Sequence, residues 1–230
     1  MAEYGNGTIE KFTTGGMGSV FASGLSTPKG LAFDNAGNLY AVISGTSTIE
    51  VFTPGGVGSV FASGSLSGVP AGLTFDSAGN LYVANSGDNT MAVITPDGGA
   101  SLRPNIGLSG PVGLVFAGGN LYVANSGNNS IEVFYPYTPI GLPGSIFAFS
   151  GLSNPMGLAV DSMGNLYAAN GGNNTIERFA LTQGGVGSIF ANTGLDNPAF
   201  LAIRGVPEPS GLAVLGLVLA GVVALRRRKA

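Results

Sequence analysis

The 230-residue chain contains no cysteine, histidine or tryptophan, and only 9% of its residues are charged. Without cysteine there is no disulfide framework, no thiolate nucleophile and no cysteine-ligated zinc or iron–sulfur centre. Without histidine, the commonest general base and metal ligand is also gone. Basic charge is scarce too, since four of the nine Lys and Arg residues stand in the last five positions. Positions 1 to 205 hold five basic and eleven acidic residues. No basic stripe can neutralise phosphates there, and nucleic-acid binding is not expected. Apolar content is ordinary at 44%, so the chain is not a disordered one. Its 40 glycines follow no three-residue period, which excludes collagen and points to a β architecture dense in turns.

What the sequence does contain is a repeat. GLAFDNAGNLYAV at 30–42 returns as GLTFDSAGNLYVA at 72–84, as GLVFAGGNLYVA at 113–124 with one residue deleted, and as GLAVDSMGNLYAA at 157–169. The landmark asparagines Asn38, Asn80, Asn120 and Asn165 are spaced 42, 40 and 45 residues apart. Ile9, Ile49, Met91, Ile131 and Ile176 keep nearly the same step, each preceded by Ser or Thr. SVFAS at 19–23 and 59–63 is echoed by SIFAF at 145–149 and SIFAN at 188–192.

Each repeat therefore reads as four short strands separated by turn chemistry. In D-x-x-G-N, the Asp34, Asp76 or Asp161 carboxylate can bond nearby backbone amides, while the following glycine supplies a positive φ. SGDNT, SGNNS and GGNNT form the next turn, where Gly and Asn tolerate left-handed backbone. Four strands per forty-odd residues describe the blades of a β-propeller. The repeats resemble the NHL family of propellers over about residues 6–203. Asn85, Asn125 and Asn170 stand where that family often has Asp, which removes charge and leaves the turn intact.

Four complete copies are flanked by a two-strand fragment at the N-terminus (TIEKF, SVFAS) and by AFLAI at 199–203. If the ends meet, the last strand supplies the inner strand of the first blade and closes a five-bladed ring with one incomplete blade. The phase of the first repeat, and an N-terminus without signal-peptide character, lead to the expectation that the natural chain starts further upstream.

Composition switches at Val206. VPEPS is followed by fifteen apolar or glycine residues, 211–225, and then by Arg226, Arg227, Arg228 and Lys229. That order reads as spacer, membrane segment and cytoplasmic stop. As a helix the segment spans only about 22 Å against a hydrocarbon core of about 30 Å, so it needs bilayer thinning or snorkelling. The tail resembles the PEP-CTERM sorting signal of Gram-negative bacteria, with Pro207, Glu208 and Pro209 as its triplet. The resemblance implies export, transient anchoring with the basic end inside, and processing near the triplet by an exosortase-type membrane transpeptidase.

Other motifs carry less. GGMGSV, GGVGSV and GGVGSI lack the strand-to-helix context and the G-K-[ST] ending of phosphate loops and read as hairpin turns. Glu10, Glu50, Glu132 and Glu177 recur beside the landmark isoleucines, and strand alternation places them on the solvated face. Ala92 breaks that series. The non-periodic Asp88, Asp97 and Asp196 fall in turns, and the periodic Tyr40, Tyr82, Tyr122 and Tyr167 read as blade packing. Some related propellers, the gluconolactonase-like and virginiamycin B lyase families, are enzymes whose acids or metal ligands break the blade consensus at the central funnel.

The resulting expectation is an all-β propeller of about five four-stranded blades over 1–205, followed by a sorting tail over 206–230 with a short hydrophobic helix. No catalytic residue, metal or cofactor is assigned. The expected role is an exported, non-catalytic scaffold at the cell surface or in the matrix. Its partners are the processing enzyme, extracellular polysaccharide or envelope proteins, and the membrane through the tail. The alternative is a metal-dependent propeller hydrolase or lyase.

Overall fold

The computed structural model describes residues 1–3, 5–13, 16–64, 66–103, 107–135 and 143–201, with 202–203 and 222–225 as backbone alone. The chain is all-β apart from one 3-10 turn at Leu181–Gln183, and it forms a five-blade propeller. The first complete blade contains β4 (Pro28–Phe33), β5 (Leu39–Ile43), β6 (Thr48–Phe52) and β7 (Gly58–Ser63). The second contains β8 (Pro70–Phe75), β9 (Leu81–Asn85), β10 (Thr90–Ile94) and β11 (Ala100–Arg103). In the third, β12 (Pro111–Ala117), β13 (Asn120–Asn125), β14 (Ser130–Phe134) and β15 (Ser145–Ala148) follow. The fourth consists of β16 (Pro155–Val160), β17 (Asn165–Asn170), β18 (Thr175–Ala180) and β19 (Gly187–Ala191). Each is an antiparallel meander with its strands in chain order. Before them, β1 (Ala2–Glu3), β2 (Thr8–Phe12) and β3 (Gly18–Ala22) make a three-stranded sheet.

At the other end, β20 (Phe200–Ile203) packs beside β16 and pairs with β21 (Val222–Leu225). Leu201 faces Ala224 as Leu114 faces Val123 in the third blade, so β21 lies where a complete blade has its second strand. A helix is expected over 211–225; of that stretch, Val222–Leu225 is strand and 211–221 lie outside the described residues. An apolar stretch beside an unpaired strand edge satisfies its backbone by joining that edge.

The turns follow the expected chemistry. Asp34 Oδ1 accepts the amides of Ala36 at 2.9 Å and Asn38 at 2.8 Å, and its Oδ2 accepts Asn38 Nδ2. Asp76 and Asp161 repeat the arrangement. Burial works against ionisation of Asp34, yet the side-chain and backbone hydrogen bonds of Asn38 and the amides of Ala36 and Gly37 hold its carboxyl below the usual range. In the shortened third repeat, Gly118 (φ 56) and Gly119 (φ 78) form a two-residue hairpin in place of the aspartate turn.

Stacking of the complete blades depends on one glycine in each of their inner strands. A Cβ on Gly30 would lie 2.5 Å from the Ala71 carbonyl oxygen, on Gly113 2.5 Å from that of Met156, and on Gly157 2.6 Å from that of Ala199. Gly72 meets the Val112 carbonyl in the same way. Neighbouring inner strands thus run backbone against backbone, which no side chain permits. Gly113→Ala is expected to destabilise the chain by about 2–3 kcal/mol, the scale of an overpacked core. Gly5→Ala, with nothing within 4 Å of the added carbon, should be near neutral; denaturant melts of both variants check the contrast.

Candidate functional site

Between complete blades the packing unit is a tyrosine held edge-on by phenylalanines. Tyr40 meets Phe61 of its own blade at 5.0 Å and Phe75 of the next at 4.9 Å, both T-shaped. Tyr122 meets Phe147 at 5.1 Å and Tyr167 meets Phe190 at 5.0 Å. A β-bulge presents each fourth-strand phenylalanine. In the first blade, Ile49 pairs with Ala62 and Glu50 with Val60, leaving Phe61 as the extra residue. The same register shift skips Phe21, Phe147 and Phe190.

The second blade departs from this pattern. Its fourth strand pairs without a bulge, Met91 with Arg103 and Ala92 with Leu102, so Arg103, aligned in sequence with the missing phenylalanine, takes the pairing place that Ala62 holds opposite Ile49. Tyr82 keeps only the partner from the next blade, Phe116, at 5.0 Å. Beside Phe116 the aspartate turn is gone, replaced by Ala117, Gly118 and Gly119. Beside the shortened turn lies a cavity of about 330 Å³ lined by Asp76, Ser77, Tyr82, Phe116, Ala117 and the Gly118–Gly119 hairpin, which Arg103 does not line. A smaller recess of about 40 Å³ continues from it past Tyr82 and Phe116 to Arg103, Leu121 and Tyr135.

Asp76 is the charged residue of the main cavity and Arg103 that of the smaller recess. The Arg103 Nε is buried with no hydrogen-bond partner, an arrangement that costs about 1–3 kcal/mol for a neutral group and more for a charged one. Burial and then the charge of Asp76 raise the Tyr82 phenol above its ordinary range, and Arg103 opposes them. The tyrosine hydroxyl therefore stays protonated between an acid and a base. A cation, a carboxylate and a hydroxyl beside aromatic faces can bind a small polar ligand that has an apolar side.

Two further carboxylates are buried, contrary to the sequence expectation of a solvated face. Glu132 and Glu177 are 4% and 5% exposed. Their neighbours Ile131 and Ile176 are buried as well, because both faces of a third strand are covered when blades stack. Glu50 and Glu10 are half-buried. Asn170 Nδ2 reaches Thr175 Oγ1 at 3.1 Å and Glu177 Oε2 at 3.5 Å, and its Oδ1 accepts the Ser153 amide. Asn125 does the same with Ser130 and Ser109. A neutral amide, where the related repeats often place Asp, donates to the buried glutamate instead of repelling it. Gly107 and Gly151 sit against these carboxylates, where a Cβ would collide with them. Among the described residues no three His, Cys, Asp or Glu side chains are grouped to hold a metal ion.

The sorting residues Pro207, Glu208, Pro209, Arg226, Arg227, Arg228 and Lys229 lie outside the described residues. Asp88 bonds Thr90 and Asp97 bonds Thr95 within their turns. Sequence reading did not single out Arg103, although aligning its repeat with the others sets it against Phe61, Phe147 and Phe190.

Comparison with known proteins agrees with this architecture. The NHL repeat profile matches residues 108–134, and that of the PEP-CTERM protein-sorting motif matches 205–229. The chain is thus a five-blade β-propeller in which one repeat matches the NHL profile and the C-terminus matches a protein-sorting motif of exported proteins. No curated protein sequence matches it. Among solved structures it is similar to a chain of the nidogen/laminin complex (24% identity, TM-score 0.75, 87% of this chain and 79% of that one). It is also similar to virginiamycin B lyase from Staphylococcus aureus (18%, 0.68, 88% and 69%) and to a gluconolactonase from Xanthomonas campestris (18%, 0.73, 86% and 73%). These likenesses establish the fold alone. Among the described residues no helix is long and apolar enough to cross a membrane.

The buried glutamates set a pH dependence. Burial raises the Glu132 and Glu177 carboxyls above the ordinary glutamate value of 4.5, against the opposing Asn125 and Asn170 hydrogen bonds. The folded chain thus holds these protons more tightly than the unfolded one, and stability falls as pH rises from 4.5 through the folded-state values. Asp34 and Asp161, held below 3.8, act oppositely, losing stability as pH falls under that value. The double variant Glu132→Gln, Glu177→Gln should flatten the decline between pH 4.5 and 7 and leave acid unfolding below 3.8 unchanged, as read from thermal midpoints across pH 3–8.

Proposed function

We propose that the protein is a non-catalytic binding scaffold of the cell envelope, made as an anchored precursor and released or re-attached at its C-terminal signal. Residues 1–205 are the delivered propeller and 206–230 the sorting tail. In this reading, Pro207, Glu208 and Pro209 form the processing triplet read by an exosortase-type enzyme. The span 211–225 holds the precursor in the membrane, which requires Val222–Leu225 to leave their pairing with β20, and Arg226, Arg227, Arg228 and Lys229 keep its end on the cytoplasmic side. The observation that carries the proposal is the coupling of a sorting motif at 205–229 to a repeat fold. Such a chain is delivered to a surface where extracellular polysaccharide and envelope proteins are the available partners.

A second reading, a propeller hydrolase or lyase, draws on the likeness of fold to a lyase and a lactonase. Acid–base work needs titratable groups within reach of a bound substrate. Glu132 and Glu177, which have raised pKa values, are closed off by Gly107 and Gly151. Turnover of any member of a lactone and uronate panel, with divalent cations added, would favour this reading over the scaffold.

The sorting assignment has a direct test. In a host with an exosortase, the wild-type chain should yield a product ending near residues 207–210 outside the inner membrane, whereas Pro207→Ala with Pro209→Ala should leave the full-length chain in the membrane. Mass spectrometry of fractionated cells reads both, and unchanged processing of the double variant would overturn the assignment.

A further inference from the structure

We propose that the cleft between the second and third complete blades binds one carboxylate-bearing sugar ring, a hexuronate unit of an anionic polysaccharide, with the carboxylate on Arg103. The proposal rests on the exported reading above for the ligand's source, but on the cleft alone for its chemistry. The larger cavity opens beside the shortened Gly118–Gly119 turn, and the small recess that shares Tyr82, Phe116 and Gly119 with it ends on Arg103, which the repeat alignment sets against the bulged phenylalanines of the other blades. An arginine is a poor filler for an aromatic slot: its Nε is buried without a partner, and its planar fork matches the two oxygens of a carboxylate.

The other groups narrow the ligand. Phe116 and Tyr82, edge-on at 5.0 Å, offer apolar ring surface for the C–H face of a pyranose. Asp76, Ser77 and the protonated Tyr82 hydroxyl offer acceptors and donors for sugar hydroxyls. The volume of about 330 Å³ is at the lower end for small-molecule sites, which suits a single ring rather than a chain. A dianionic phosphate or sulfate would sit close to the Asp76 carboxylate on a body that already carries excess acid. A singly charged carboxylate meets less repulsion. Neutral sugars bring no charge to Arg103, whose side chain already meets the Tyr82 hydroxyl.

The test titrates the full-length chain in detergent with trigalacturonate, with a neutral glucose trisaccharide and with acetate, followed by calorimetry. Trigalacturonate should bind at least tenfold more tightly than either control. Arg103→Phe restores the residue of the other repeats, so it should keep or raise the melting temperature while abolishing the preference. Arg103→Lys, which retains charge without the fork, should weaken binding several-fold. Equal affinity for acidic and neutral trisaccharides, undiminished binding by Arg103→Phe, or tighter binding of phosphate or sulfate would each overturn the proposal. Processing is measured separately: correct sorting without uronate binding sinks this inference alone, and uronate binding by a chain that is never processed sinks the sorting scaffold and leaves the cleft standing.

Discussion

The contact on which the whole ring depends is backbone against backbone at its centre. Gly30, Gly72, Gly113 and Gly157 place the inner strands so close that the following blade's carbonyl lies where a Cβ would stand. Everything further out inherits that spacing. The distance between blades at the second and fourth strands is fixed by their convergence on these glycines, and it matches a tyrosine with a phenylalanine set edge-on about 5 Å away. The fifth inner strand has Phe200 at the equivalent position, and β20 there pairs with β21, the next described strand.

A second consequence of close stacking is that no blade has a wet face along its middle strands. Ile131 and Glu132 are adjacent, point to opposite sides and are both buried. The chain meets the cost of the charged residue with Asn125, itself anchored by Ser109 and Ser130. In the second blade, where Ala92 replaces the glutamate, Asn85 Nδ2 still donates to Thr90 Oγ1, while its Oδ1, which in the third and fourth blades accepts a serine amide, has no partner.

Local features were the most legible in the sequence. The period, the strand order and the aspartate turns follow from residues within a few positions of one another, and Asp34, Asp76 and Asp161 make the bonds that spacing alone suggested. The glutamates were misread because period-two alternation separates two faces without saying what covers either. The cleft was invisible for a different reason. Arg103 lies in one repeat and Gly118–Gly119 in the next, and each alone looks like drift from the consensus. Only the ring brings them together, although the mismatch of Arg103 with four phenylalanines (Phe21, Phe61, Phe147, Phe190) was there to be seen in the repeat alignment.

Symmetry explains why that mismatch carries more weight than any conserved-looking position of the repeat. A residue present in every blade does the same structural task each time, so the periodic tyrosines and capping aspartates are accounted for by packing and turns. Function in a repeat protein requires a place where the blades differ, and two complementary departures on facing surfaces are harder to attribute to drift than one. The bulge adds to this: inserting a residue re-aims a side chain, and the second blade omits the insertion at the same position where it exchanges an aromatic ring for a cation. The loss of one phenylalanine would leave only a void. A guanidinium at the end of the recess gives that void a charge, which is the feature the proposed uronate site rests on.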